Sequence, residues 1–240
     1  MINIAIPGVN GRMGQAVAKA VLKSSDLHLV IATVRDTCAE LGNKVANSDV
    51  TISNKILNAD YDVMIDFTLP EGVMEHLEYC RAHRKAMVIG STGLKDAEMD
   101  QIRAAAKDIP ILLSANMSIG VNVCYKLLMN ACKMLGPEWQ TSVIDLHHQH
   151  KKDSPSGTAN TMAQLLASNS GKALSDIEIV SYRKGEIVGS HIVSFKTPHE
   201  VITIAHEAQD REIFAEGAIT AARWICGKMP GLYSMLDVIA

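Results

Sequence analysis

The sequence predicts an α/β protein in two parts: a parallel sheet flanked by helices, then an α+β part with a mixed sheet. Three observations predict this. From residue 2 to about residue 113, apolar runs of strand length alternate with stretches of helical period, the pattern of a parallel sheet with crossover helices. After Val143 the pattern changes to β-rich runs with one helix among them. A helical period then returns at Phe214 and leads into an apolar tail. The expected division is 1–117 with 212–240 as one domain and 118–211 as the other.

The composition excludes several classes. The chain has 240 residues, 48% of them hydrophobic, and a net charge of -3. That balance disfavours nucleic acid as a partner, because phosphate binding needs a basic surface. Aromatics are 4%, too few for base-stacking platforms. The five cysteines, Cys38, Cys80, Cys124, Cys132 and Cys226, are scattered with no C-x-x-C pair, which fits reduced thiols in a cytoplasmic protein. No apolar run reaches membrane-spanning length, and MINIAIPG enters a strand with no basic leader, so neither membrane insertion nor secretion is expected.

Ile2–Ile6 reads as the first strand and runs into Pro7-Gly8-Val9-Asn10-Gly11-Arg12-Met13-Gly14. Met13, Ala16, Val17, Ala20 and Val21 then recur at helical spacing. Strand, glycine turn and helix form the phosphate cradle of a dinucleotide-binding unit. The spacing is G-x-x-G-x-x-G, a variant of the usual fingerprint. Gly8 makes the sharp turn, Gly11 lets backbone approach a pyrophosphate, and Gly14 lets the helix lie close to the strand. A second strand, Leu27–Val34, ends at Arg35-Asp36. The guanidinium of Arg35 suits a 2′-phosphate and hence NADPH. Asp36 is able to take the ribose-binding role of an acid or to pair with Arg35.

A buried strand, Tyr61–Thr68, ends at Phe67-Thr68, and Pro70 opens the next helix with an apolar stripe through Val73, His76, Leu77 and Cys80. His76 and His83 are expected on that helix's surface. Ala86–Ile89 stops at Gly90-Ser91-Thr92-Gly93, and the helix Asp96–Lys107 follows. Ile111–Leu113, entered through Pro110, stops at Ser114-Ala115-Asn116-Met117. Four strands therefore end in small or hydroxyl-bearing residues: at Gly8, Thr68, Gly90 to Thr92, and Ser114 to Asn116. In a parallel sheet these ends share one edge, where ligands bind. Small residues there admit a flat nicotinamide ring.

The helix pattern through Val123, Leu127, Leu128, Ala131 and Leu135 is apolar nearly all round, so burial on all sides is expected before Gly136-Pro137 ends it. Val143–His148 reads as a strand and Thr158–Ala167 as a helix, with further strands at Ile177–Tyr182, Ile187–Phe195 and Val201–Ala205. Phe214–Lys228 is a helix.

Between strand and helix lies His147 to Thr158, HHQHKKDSPSGT, holding three of the nine histidines and two lysines. Strand alternation sends His147 one way and His148 and His150 the other, so the three do not converge as metal ligands, and no metal is expected. Lys151 falls just past the strand end, where it and His147 can reach a common pocket and relay protons. Ser156-Gly157-Thr158 opens a helix whose N–H groups form a cradle for a carboxylate.

Five strings identify a resemblance: GVNGRMG at 8–14, IDFTLPEG at 65–72, MVIGSTG at 87–93, SANMSIGVNV at 114–123 and HHQHKKDSPSGTA at 147–159. Over nearly its whole length the sequence resembles the dihydrodipicolinate reductases (4-hydroxy-tetrahydrodipicolinate reductases) of bacterial lysine and diaminopimelate synthesis. The resemblance implies a Rossmann-like domain, completed by the C-terminal helix region, plus an α+β domain that binds a small dicarboxylate substrate and builds a homotetramer. It also implies hydride transfer from NADPH or NADH to C4 of the substrate ring. His147 matches the family's proton donor/acceptor and Lys151 its lysine proton donor. His148, Gly157 and Thr158 match substrate-binding positions. Gly8, Val9, Asn10, Gly11, Arg12 and Met13 match the pyrophosphate loop. Gly90, Ser91, Thr92, Ser114, Ala115, Asn116 and Met117 match the nicotinamide side, with Phe67 and Thr68 also at the cofactor.

Three features depart from the family pattern. Val34 stands where many relatives carry the ribose-binding acid, Leu69 where some have arginine, and the segment between the helix after Thr158 and Ile187–His191 is short. Two other readings of the residues are an NAD(P)-dependent dehydrogenase of a small amino or keto acid, which would lack the HHxHK…SGT string, and a non-catalytic dinucleotide sensor, which would need no Lys151.

Overall fold

The computed structural model describes residues 1–56 and 60–240 and divides into two units, Met1–Ser118 with Glu212–Ala240, and Ile119–Arg211.

The first unit is built on six parallel strands: β1 (Ile2–Pro7), β2 (Leu27–Thr33), β3 (Val63–Asp66), β4 (Ala86–Ile89), β5 (Pro110–Leu113) and, near the chain's end, β10 (Gly231–Tyr233). Their order is β10-β5-β4-β3-β1-β2, with the chain reversing direction across the sheet between β1 and β3. Strands β3 and β4 are buried at every position, as expected where helices cover both faces. Helices α1 (Arg12–Lys23) and α6 (Glu212–Ile225) supply one apolar layer, through Val17, Val21, Ala218 and Ala222. Helices α2 (Pro70–Ala82) and α3 (Asp96–Ala105) supply the other, through Val73, Leu77, Cys80 and Ile102. The apolar tail is docked: β10 pairs with β5, and Met235 of the short helix α7 (Met235–Val238) is fully buried.

Strand β2 ends one residue before the expected Val34. The Val34 N–H bonds the carbonyl of Ser53, and Thr33 bridges Ser53, so the chain leaves the sheet to meet the 51–53 segment. His76 is a second difference. It is not a surface histidine: its Nδ1 lies 2.7 Å from Oδ2 of the fully buried Asp66. His83 is exposed as expected, bonded to the Tyr79 carbonyl and stacked on its ring.

The second unit holds α4 (Ile119–Met134), β6 (Gln140–His147), α5 (Gly157–Ser170), β7 (Glu178–Arg183), β8 (Gly189–Lys196) and β9 (Val201–Ala208). The sheet order is β7-β6-β8-β9. β6 and β7 run parallel across the α5 crossover, while β8 pairs antiparallel with both β6 and β9. This is the mixed sheet that the sequence predicts. Helix α4 is not buried all round. Ile119, Val123 and Leu127 are 39%, 41% and 48% exposed and share one face at four-residue spacing, while Val121, Leu128 and Cys132 face inward. The apolar residues are right for a helix with two covered faces, but this chain covers one of them.

Candidate active site

At the C-terminal ends of β1, β3, β4 and β5 the first unit forms a ledge of small residues. Gly8 turns the chain at φ 65°, a conformation that side chains rarely adopt. A Cβ on Gly8 would sit 2.8 Å from Thr68 Cγ2, and one on Gly14 would sit 2.2 Å from the Gly8 carbonyl oxygen. The loop and helix are therefore as close as backbone allows. Gly11 is the N-cap of α1, and no side chain caps this end, so the first-turn N–H groups are left for an anion. Val9 is buried and bonded to Thr33, while Arg12 at the helix start is exposed. The amide of Asn10 bonds the Cys38 thiol, and Met13 packs against the α1 layer.

Asp66, at the end of β3, accepts the Thr68 N–H at 2.7 Å and so shapes the Phe67-Thr68 turn. The Phe67 ring lies over Gly90 so closely that a Cβ there would meet it at 2.1 Å. Ser91 is 6% exposed, and its Oγ is buried with no hydrogen-bond partner among the described residues. A buried hydroxyl of this kind needs a partner, and here it lies at the end of β4, beside exposed Thr92. Ser114 bonds the Asn116 carbonyl, the Asn116 side chain accepts the Ser118 N–H, and Met117 is buried with its carbonyl against Gly217. Ala115 is exposed, as is Arg35 beyond β2; Asp36 is bonded by Asn54 rather than by Arg35. The uncapped helix, the glycine turn and the orphaned Ser91 hydroxyl fit a pyridine dinucleotide.

In the second unit the centre is Asp145, fully buried on β6 two residues before His147 and therefore on the same face. Its carboxylate accepts from Ser156 N (3.0 Å), Ser156 Oγ (2.8 Å), Ser181 Oγ (3.2 Å) and Arg183 Nη2 (2.9 Å). His147 Nδ1 lies 3.0 Å and His191 Nε2 3.4 Å from its Oδ1. The His147 approach is oblique, short of a straight hydrogen bond. Burial alone would raise the Asp145 pKa. The contacts from His147, His191 and Ser156 outweigh it and hold the carboxyl well below the usual range. Asp145, His147 and His191 also form a three-residue group of metal-ligand type. Four hydrogen bonds, one from a guanidinium, already occupy this carboxylate, so the group reads as a saturated carboxylate rather than a metal centre.

Sequence reasoning missed this network. Asp145 was visible at i, i+2 from His147, but His191 and Arg183 reach it only through strand register. Asp145 pairs with His191 on β8 and with Ser181 on β7. His147 is 8% exposed, and a Cβ on Gly189 would lie 3.0 Å from its Nε2.

The strand stops at His147 because the turn after β7 captures the next residues: Lys184 N–H bonds the His147 carbonyl and Gln149 N–H bonds that of Gly185. His148 is half-buried with Arg211 Nη2 3.4 Å from its Nε2. Partial burial and the Arg211 charge push its pKa below the usual histidine value. Its ring lies near that of His150, apart from the Asp145 contacts, as strand alternation predicts. Lys151 Nζ pairs with Asp153 at 2.9 Å; among the described residues no hydrogen bond joins it to His147. Ser156 caps α5 by accepting the Ala159 N–H. Gly157 opens that helix, with nothing within 4 Å of where its Cβ would be, and Thr158 follows in the first turn.

A parallel sheet with an uncapped, glycine-bounded helix start, carried in one chain with a buried carboxylate–imidazole pair and a helix whose serine cap is bonded to that carboxylate, fits a pyridine-nucleotide-dependent oxidoreductase of a small anionic substrate. Comparison with known proteins narrows the class. The model for "Dihydrodipicolinate reductase, N-terminus" matches residues 2–117, and that for "Dihydrodipicolinate reductase, C-terminus" matches residues 120–239. The chain thus belongs to the dihydrodipicolinate reductase family. Its activity is the NAD(P)H-dependent reduction of 4-hydroxy-tetrahydrodipicolinate to tetrahydrodipicolinate in the diaminopimelate route to lysine.

Among solved structures, a dipicolinate-bound dihydrodipicolinate reductase from Paenisporosarcina sp. TG-14 is similar at TM-score 0.85 and 25% identity, with 100% of each chain covered. A probable dehydrogenase from Thermotoga maritima (TM-score 0.65, 12% identity, 99% and 92% covered) shares the fold. So does a myo-inositol dehydrogenase from Corynebacterium glutamicum ATCC 13032 (TM-score 0.62, 15% identity, 100% and 92% covered). Among the described residues no helix is long and apolar enough to cross a membrane.

Proposed function

We propose that His147 and Lys151 carry the proton transfers of this reduction, and that His148, Gly157 and Thr158 hold the carboxylates of a small dicarboxylate substrate. The observation that carries the reading is the seating of His147 against Asp145 at the end of β6, with Ser156 tying the start of α5 to the same carboxylate.

When bound, the reduced nicotinamide would supply a hydride to the ring from which the 4-hydroxyl has left as water, adding two electrons at C4 and leaving negative charge on the conjugated ring. Lys151 delivers the balancing proton, and His147 polarises the substrate or relays the proton. The first-turn N–H groups of α5 meet a carboxylate with the positive end of the helix dipole. On the nucleotide side, residues 8–13 hold the pyrophosphate. Phe67, Thr68, residues 90–92 and residues 114–117 bound the nicotinamide, with the unpartnered Ser91 hydroxyl able to bond its carboxamide.

Arg35, one residue past the place of the ribose-binding acid, favours NADPH over NADH. The enzyme works as a cytoplasmic homotetramer. The bound dipicolinate of the Paenisporosarcina relative, an aromatic dicarboxylate, supports the substrate class.

The test is Lys151→Ala assayed with enzymatically generated substrate. Turnover falls about 10²–10⁴-fold, the range of a general-acid step, while NADPH binding measured by fluorescence is unchanged. An unchanged turnover number removes the assignment. Run with both cofactors, the same assay shows the preference for NADPH.

A further inference from the structure

We infer that Asp145 is the positioning residue for His147, fixing which ring nitrogen carries the proton, and that through Ser156 it also sets the α5 cradle relative to that imidazole. The inference rests on the reading of His147 as a proton-transfer group.

The geometry supports it in three ways. An ionised carboxylate offers only lone pairs. With Asp145 Oδ1 3.0 Å from His147 Nδ1, a deprotonated Nδ1 would set its lone pair beside the carboxylate's charge even at this oblique approach, whereas an N–H there is attracted to it. The proton is therefore held on Nδ1, and Nε2 is the nitrogen left to exchange protons. Asp145 is held in place by groups on the neighbouring strands: the Arg183 guanidinium and the Ser181 hydroxyl on β7, and His191 on β8. Arg183 also donates to the Asp153 carbonyl at 2.7 Å, so it holds the loop that carries Lys151. Lastly, Ser156 gives both its N–H and its hydroxyl to Asp145 while its Oγ caps α5 at Ala159. One carboxylate is thus bonded to the start of the cradle and in contact with the proton-carrying ring, and displacing it moves both.

The first experiment needs no variant. Nitrogen-15 NMR of the histidine rings in the intact enzyme reads the tautomer of His147 directly. Nδ1–H is expected, and an Nε2–H neutral form overturns the inference.

The second is kinetic. Asp145→Asn keeps the size but loses the charge, and its amide can face the ring with either end. The expected result is mixed tautomers, turnover reduced about ten-fold or more, and NADPH affinity unchanged. The ring role acts through His147 on the turnover number, so at saturating substrate the double variant D145N/H147Q should turn over no slower than H147Q alone. The cradle role acts through Ser156 on binding, so the substrate KM should rise in D145N and in the double variant alike. Additive losses in turnover number would mean that Asp145 acts on the proton transfer independently of His147, and an unaltered KM would mean that it does not set the cradle; either overturns the inference. If H147Q runs at the wild-type rate, the proton-transfer reading fails and this inference fails with it. If H147Q is slow but D145N is not, this inference alone fails.

Discussion

Gly157 is a residue whose proposed role lies in binding and not in the fold. Most glycines of the nucleotide ledge are demanded by their surroundings, but a Cβ on Gly157 would meet nothing within 4 Å and its backbone is ordinary. The first position of a helix accepts alanine at least as well as glycine, since glycine loses more conformational freedom on folding. The space before Gly157 is what a substrate carboxylate would fill to reach the helix's N–H groups. Gly157→Ala is therefore expected to leave the thermal midpoint unchanged or slightly raised and to increase the substrate KM by about ten-fold, the added methyl costing roughly 1–2 kcal/mol of lost contact. Steady-state kinetics beside a melting curve would show it. A lowered midpoint with an unaltered KM would place Gly157 in the fold instead. Residues of this kind were legible in the sequence because a motif carries them. His191 and Arg183 were not, since they lie 46 and 38 positions from Asp145 and meet it only across paired strands.

Among the elements, α1 depends most on a single position. Its N-terminus is left uncapped for an anion, and its distance from β1 is set where Gly14 meets the Gly8 carbonyl. Gly14→Ala would place a carbon 2.2 Å from that oxygen and 2.8 Å from Val9 Cα, both backbone atoms that no rotamer change relieves. The helix must shift outward, taking its first-turn N–H groups with it. Overpacking of this kind costs about 1–3 kcal/mol, measurable by urea denaturation, and NADPH affinity should fall with it by ten-fold or more. Normal stability and affinity would show that α1 is not pinned there. This geometry was readable from the sequence because only glycine tolerates such an approach, so three glycines at that spacing imply it. Element ends were less readable. β2 yields at Val34 to the Ser53 carbonyl, a partner that no local pattern announces, and His76 was placed on the surface because nothing local marks the buried Asp66 it bonds.

For the molecule as a whole, the alternation of strand and helix periods made the two architectures legible, and the resemblance over five strings pointed to the chemistry. What the period of α4 could not reveal is what covers each face, because a stripe at four-residue spacing looks the same whether it meets its own sheet or another chain. In the single chain that stripe, Ile119, Val123 and Leu127, is open, and Met134 beyond it is 78% exposed. In the same unit β9 forms an edge of the four-stranded sheet and begins with exposed Val201 and Ile202. An eight-residue edge strand without a proline invites pairing, and exposed apolar surface of this extent marks an interface. Both features fit association of the second units of several copies, as the proposed tetramer requires. Light scattering at assay concentration is expected to return four times the 26.0 kDa chain mass. Replacing Ile202 and Leu127 by lysine should lower that mass without changing the helix and strand content seen by circular dichroism. A wild-type mass of one chain would exclude the assembly and leave these apolar faces without a function.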